Sequence, residues 1–248
     1  MADAKEIAEF LNKELKIHDI EDTCCNGLQV ENEGEITKIG FAVDAGVDTF
    51  EKAKESGCHM IIVHHGMIWE GIKYIKGDTY KRVSILIKNN IALYAAHLPL
   101  DRHEEYGNNI QLSRILGLQN LKPFGYHSGK TIGFMGEVNL TREEIKQKLS
   151  EKGMQNNCFC HGKEDVKKVA IISGGGKGEV YQAILANVDL FITGEIAYRY
   201  PQLAKENEFN IICAGHYATE TWGVKALMPL LKEKFNVDVE FIDNPIDI

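Results

Sequence analysis

Short apolar runs alternate with polar, periodic stretches along most of the chain. Residues 38–43 (KIGFAV), 59–63 (HMIIV) and 91–96 (IALYAA) read as strands, and the stretches 46–56 and 79–89 between them read as helices. That alternation predicts a parallel α/β layer. A Gly-, Pro- and His-containing stretch around Pro123-Phe-Gly-Tyr-His-Ser-Gly129 follows, and then the same grammar returns. Strands are expected at 132–138, 167–173, 189–193 and 209–214, with helices at 141–152, from about 178, and at 196–207. Thr141 with Glu144 three residues on marks a capped helix start. The N-terminal segment carries Ile7, Phe10, Leu11 and Leu15 at helical spacing.

The resemblance between the halves extends to residues. Ile39-Gly-Phe-Ala-Val-Asp44 lies over Val169-Ala-Ile-Ile-Ser-Gly174, and Ile61-Ile-Val-His-His-Gly66 over Phe191-Ile-Thr-Gly-Glu-Ile196, both at an offset of 130. His97-Leu-Pro-Leu-Asp101 lies over His216-Tyr-Ala-Thr-Glu220 at an offset of 119, so the first half carries 11 extra residues, supplied around Trp69–Gly77. The expected fold is α/β, with two similar three-layer α/β units, 1–124 and 125–248, an internal duplication with the metal site in the cleft between them. The alternative is the general likeness of all βαβ sequences.

Composition narrows the function classes. With 28 Lys and Arg against 36 Asp and Glu the net charge is −8, so binding to polyanions would need a local basic face. No apolar stretch approaches the roughly 18–20 residues that span a bilayer, and the polar N-terminus lacks a signal-peptide core. The six cysteines form no C-x-x-C pair, which predicts reduced thiols in a cytoplasmic protein. Cys158-Phe-Cys160-His161 lacks a second ligand pair at zinc-ribbon spacing and is expected to pack as a strand.

The nine histidines change the picture, because several stand at strand ends. In open α/β sheets ligands bind beyond the carboxyl ends of strands. His64-His65 follow Met60-Ile-Ile-Val, His97 and Asp101 follow Ala92-Leu-Tyr-Ala-Ala, and His216 and Glu220 follow Ile211-Ile-Cys-Ala-Gly. These are the nitrogen and oxygen donors that divalent transition metals prefer. His216 and Glu220 are spaced to share one face of a helix. A lone strand-end histidine is ordinarily structural, but an adjacent pair would repel on protonation and needs several acceptors. His64, His65, Asp101, His216 and Glu220 supply more donors than one four-coordinate ion requires, so two divalent ions are expected. Zn, Fe, Mn and Ni all suit that set.

Gly66 after His64-His65, Tyr94-Ala-Ala-His-Leu-Pro-Leu-Asp101, Thr193-Gly-Glu195 and Gly215-His-Tyr-Ala-Thr-Glu220 together resemble the Nif-three-like, or YbgI-like, family, also called type 2 GTP cyclohydrolase I. The resemblance spans nearly the whole chain. It implies an α/β protein with a dinuclear metal centre, assembled as a ring-shaped homohexamer, with ligands at the same five positions. Leu98-Pro99 depart mildly from the family pattern.

Two adjacent ions lower the pKa of a bridging water and hold the hydroxide against an electrophile, so the expected chemistry is hydrolysis of a nucleotide or related heterocycle. With GTP, attack at C8 would open the imidazole ring and release formate in a second step. His97 and Glu195 are expected either to transfer protons or to hydrogen-bond the ligands. Ser173-Gly-Gly-Gly-Lys-Gly178 reads as a tight turn or an anion cradle, but Lys177 is followed by Gly178, so it is not a P-loop. Asp44 is expected to cap the helix beginning near Gly46, or else to support a ligand. A contrasting reading is a nucleic-acid-binding ring or scaffold with structural metals, using Lys52, Lys54, Lys73, Lys76, Lys81 and Arg82 as a local basic patch.

Overall fold

The computed structural model describes residues 2–246. The chain divides into two units. The first comprises Met1–Leu100 with Gly223–Pro245, and Asp101–Trp222 forms the body of the second. In chain order the elements begin with α1 (Ala4–Glu14), β1 (Gly27–Val30), β2 (Lys38–Asp44), α2 (Val47–Glu55), β3 (Met60–His65), α3 (Gly77–Lys88) and β4 (Ala92–Ala95). They continue with α4 (Leu98–Asp101), α5 (Asn108–Leu116), β5 (Gln119–His127), β6 (Lys130–Thr141), α6 (Arg142–Ser150), β7 (Asn157–Cys160) and β8 (Asp165–Ile172). The last are α7 (Glu179–Leu185), β9 (Leu190–Thr193), α8 (Tyr200–Glu206), β10 (Asn210–Cys213), α9 (His216–Phe235) and β11 (Asp238–Phe241).

The first unit holds a five-stranded sheet in the order β1-β4-β3-β2-β11. β11, β2, β3 and β4 run parallel and β1 is antiparallel to β4. The second holds a six-stranded sheet, β5-β6-β8-β9-β10-β7, whose middle strands β8, β9 and β10 are parallel while β5, β6 and β7 are antiparallel. The central parallel strands β3 and β9 are apolar where both of their faces are covered: Met60, Ile61, Ile62 and Val63 are inaccessible, as are Leu190 and Phe191.

The likeness of the two units is visible in strand register. Ile39 stands opposite Met60, and Val169 stands opposite Leu190, so the offset of 130 holds on both partners at once. The third strand corrects the sequence match. Ala95 pairs with Val63 and Cys213 with Thr193, an offset of 118, so His97 corresponds in register to Gly215 and His216 comes one residue later.

Other boundaries also move. The sequence expects a division at 124/125, whereas the contacts divide the chain at 100/101 and 222/223. Leu112, Leu116 and Leu118 join Ile145, Val169 and Leu190 in one core, which places that segment in the second unit, and β11 returns to pair with β2 in the first. α8 begins at Tyr200 rather than 196, since Pro201 has no amide hydrogen and is tolerated only in the first turn. The Gly-, Pro- and His-containing stretch around Pro123 belongs largely to β5, an edge strand, where proline costs no ladder bond. Among the described residues no helix is long and apolar enough to cross a membrane.

Cys24, Cys25, Cys58 and Cys213 are free thiols, as expected, and burial pushes the Cys24 thiol up to about 12. Cys158 and Cys160 do lie on a strand, but they are paired as a disulfide rather than left reduced. Positions i and i+2 face the same side of β7, and their Cα atoms are 5.3 Å apart, inside the range a disulfide needs.

The expected cap on α6 is present in full. Thr141 Oγ1 accepts from the Glu144 amide at 3.3 Å, and the Glu144 carboxylate accepts from the Thr141 amide at 2.7 Å. Thr141→Ala should therefore lower stability by about 1 kcal/mol, read as a shift in the urea midpoint at unchanged m-value.

Candidate metal centre

Parallel pairing of β2, β3 and β4 brings their carboxyl ends to one edge of the first sheet, and polar side chains gather there. β3 finishes with His64, which is fully buried, and His65. The His64 Nδ1–H donates to the Ala96 carbonyl at 2.9 Å. Register sets Asp44, the last residue of β2, beside His65, and the His65 Nδ1–H donates to Asp44 Oδ1 at 2.7 Å. Asp44 thus holds the His65 ring and does not cap the helix: Gly46 is the N-cap of α2, with no side-chain bond there.

His97, just past β4, donates from Nδ1 to both oxygens of Asp22 at 3.0 Å. The Asp22 side chain is almost wholly buried. It also accepts from the amides of Cys24 at 3.0 Å and Leu98 at 3.1 Å, and from Asn26 Nδ2 at 3.0 Å. Burial alone would raise its pKa, but the bond and charge of His97, with the Asn26 and Cys24 donors, outweigh it and hold the group at about 2. The ring centroids of His64, His65 and His97 lie 4.8, 5.1 and 5.6 Å apart, and the Trp69 edge meets His97 at 5.0 Å.

In the second unit the corresponding strand ends carry a different set. Gly215, at φ +92°, makes the turn from β10 into α9, a conformation open to glycine. His216 and Glu220 then stand one helical turn apart, with Nε2 and Oε2 at 3.2 Å. The other ring nitrogen of His216 lies 3.4 Å from Glu195 Oε1, at the end of β9. Asp101 is buried and accepts from Ser173 Oγ and Asn108 Nδ2, each at 2.9 Å. Ser173 is followed by Gly174, where a Cβ would collide with Glu220 Oε1. One turn therefore touches Asp101 with its first residue and Glu220 with its second.

That turn is a turn and not an anion cradle. The Gly174 amide donates to Thr219 Oγ1 at 3.0 Å, Gly176 to Thr193 Oγ1 at 2.9 Å, and Lys177 to the Gly175 carbonyl at 2.8 Å. Little of its N–H array remains for a phosphate.

All seven residues singled out from the sequence stand at strand or helix ends as expected. His64, His65 and His97 are brought together in the first unit, and Asp101, Glu195, His216 and Glu220 are placed in the second. Sequence reasoning missed Asp22, Asn108 and Ser173 as supports, since each is defined by a long-range bond and by no local pattern.

Donor chemistry fits divalent metal. His64, His65 and His97 each meet an acceptor through Nδ1, which orients the rings, and the Asp101 carboxylate is itself hydrogen-bonded. The sequence model of the DUF34/NIF3 (NGG1p interacting factor 3) family matches residues 2–246. The chain belongs to the DUF34/NIF3 family. It is 46% identical over 249 residues to a Pyrococcus horikoshii protein named GTP cyclohydrolase 1 type 2 homolog, covering 98% of each chain. An Archaeoglobus fulgidus protein of the same name is 41% identical, again over 98% of each. Among solved structures it is similar to TTHA1606 from Thermus thermophilus, with a TM-score of 0.92 at 38% identity over 100% of both chains. The reduced form of HcgD from Methanocaldococcus jannaschii matches with a TM-score of 0.88 at 27% identity over 98% of each.

In this DUF34/NIF3 chain, Gly174 is the residue whose side chain would most directly disturb a proposed ligand. Its φ of +60° adds a backbone cost of about 1 kcal/mol for any replacement. Gly174→Ala should displace Glu220 and reduce divalent-metal affinity by about tenfold or more, measured by competition with a chelator, while far-UV circular dichroism stays unchanged.

Proposed function

We propose that this protein is a dinuclear divalent-metal hydrolase of a nucleotide or related heterocycle, with His64, His65, Asp101, His216 and Glu220 as the metal ligands. The observation that carries the reading is the support beneath four of these five. His64 is tied to the Ala96 carbonyl, His65 to Asp44, His216 to Glu195, and Asp101 to Ser173 and Asn108. Packing alone gives no reason for so many strand-end donors to have their remaining atoms anchored. The name shared by the archaeal relatives, GTP cyclohydrolase 1 type 2 homolog, agrees with a nucleotide as substrate.

Bound there, a pair of divalent ions would supply Lewis acidity and lower the pKa of water toward neutrality. The chain's own residues do the rest. Asp44 and Glu195 hold the His65 and His216 rings in orientation, and Ser173 and Asn108 fix the Asp101 carboxylate. Proton transfer falls to Glu195, whose side chain stays about one-third exposed and is tied to His216 only by a 3.4 Å contact. A homohexameric ring in the cytoplasm is the assembly and setting that accompany this reading.

Elemental analysis of the reconstituted protein should find two equivalents of transition metal per chain, and Glu220→Ala should hold less. Fewer than one equivalent in the wild type would sink the metal assignment. A nucleotide screen with metal-loaded protein should show turnover that disappears in Asp101→Ala. Turnover that persists equally in the variant overturns the hydrolase.

A further inference from the structure

The disulfide between Cys158 and Cys160 encloses a single residue, Phe159, on β7, the strand at the open edge of the second unit's sheet. We propose that Cys158-Phe159-Cys160 is a reversible dithiol–disulfide couple, a site that exchanges two electrons with a low-molecular-weight thiol. The couple lies apart from the metal-centre residues and does not depend on the hydrolase reading.

A disulfide stabilises a fold chiefly by constraining the unfolded chain, and least where the loop it closes is shortest. A loop around one residue constrains little, and β7 is held in place without it. Its four residues pair antiparallel with β10, from Asn157 opposite Cys213 to Cys160 opposite Asn210. The chain stays attached beyond both ends of the ladder. The Gln155 amide donates to the Ala214 carbonyl at 3.1 Å, the His161 amide to the Phe209 carbonyl at 3.2 Å, and the Gly162 amide to Asn210 Oδ1 at 2.9 Å. Breaking the S–S bond therefore leaves both sulfurs on one face of a strand that has not moved, where they can close again without bringing distant parts of the chain together. Such a bond is suited to exchange rather than to stapling the fold.

Access and selectivity point the same way. Cys158 and Cys160 pack against the core that contains Ile212 and Ala214, yet both are only half-buried, so an incoming thiolate can reach them. Cys24, Cys58 and Cys213 are buried, and burial pushes their thiols up to about 12, 11 and 11, which keeps them protonated and inert. On β10, Cys213 stands opposite Asn157 and so shares the face of Asn157 and Phe159, not that of the pair. In the exchange, the thiolate of the small thiol attacks one sulfur of the pair. The S–S bond breaks, a mixed disulfide forms, and the other cysteine leaves as a thiolate that takes up a proton. A second small thiol attacks the mixed disulfide and releases the small disulfide, so two thiols are oxidised as one protein disulfide is reduced. A small disulfide drives the reverse.

The full chain is equilibrated, folded, in dithiothreitol buffers of varied oxidised-to-reduced ratio, and its thiols are alkylated and assigned by peptide mass spectrometry. Cys158 and Cys160 should pass together from unlabelled to doubly labelled, a tenfold step in the buffer ratio changing the protein's disulfide-to-dithiol ratio about tenfold. The same curve should be obtained from the oxidised and the reduced side, with far-UV circular dichroism constant and Cys24, Cys58 and Cys213 unlabelled. A disulfide that yields to dithiothreitol only after unfolding in urea is structural and overturns the proposal, as does a pair that stays reduced at every ratio. Reduced Cys158→Ser and Cys160→Ser, shown folded by circular dichroism, are then treated with oxidised glutathione. Each should keep glutathione as a lasting mixed disulfide on its remaining cysteine of the pair, whereas the wild type should release it and close its own disulfide. No adduct on that cysteine in either variant overturns the exchange step, and the wild-type titration decides the proposal even where a variant fails to fold.

Discussion

Parallel strand pairing governs where this protein can do chemistry. In β2, β3 and β4 the chain direction is the same, so every strand leaves the sheet at one edge, and each crossover must begin there. The residues at that edge sit where the apolar ladder has ended and the helix has not yet begun, and they can be polar without disturbing a buried ladder. Register then decides which of them meet. Because Asp44 stands opposite His65, a carboxylate reaches an imidazole with no loop needed to bring it there. Two further ties, His64 to Ala96 and His97 to Asp22, follow from the same edge, since Ala96 and His97 leave β4 beside the end of β3.

Much of this was legible in the sequence, for a physical reason. Buried parallel strands must be apolar on both faces, so runs such as Met60–Val63 announce themselves, and histidines placed directly after them mark the edge. The metal-ligand candidates were found from that rule together with donor chemistry. What escaped was set by distance in sequence. Asp22 lies in an irregular segment well before β4, and nothing local ties it to His97. Asp44 looked like a helix cap because Asp before a helix ordinarily is one, and only the register of β2 against β3 shows that its carboxylate is already taken. Matching His97 to His216 gives a third-strand offset one residue too long, because the ladders align Ala95 with Cys213.

That single residue helps two similar units carry unlike sets of donors. At one pair of equivalent positions the first unit has Asp44 beside His65, and the second has Gly174 beside Glu195, whose amide donates to the Gly174 carbonyl at 2.9 Å. The acidic support has moved over by one strand. In the first unit it ends β2 and steadies a histidine on β3; in the second it follows β9 and steadies a histidine after β10. Glycine at position 174, where the first unit has Asp44, lets Glu220 come close, because any Cβ there would occupy the place of its oxygen. The extra residue after β10 delays the histidine until α9 has begun, so His216 and Glu220 share one helical turn. His97 stands just before the one-turn α4 and is held by Asp22. The first unit thus became rich in imidazole with carboxylates held behind it, while the second presents carboxylates directly. A division of that kind gives borderline-soft and hard donors to the same protein from one repeated fold, without asking either unit to bend its sheet.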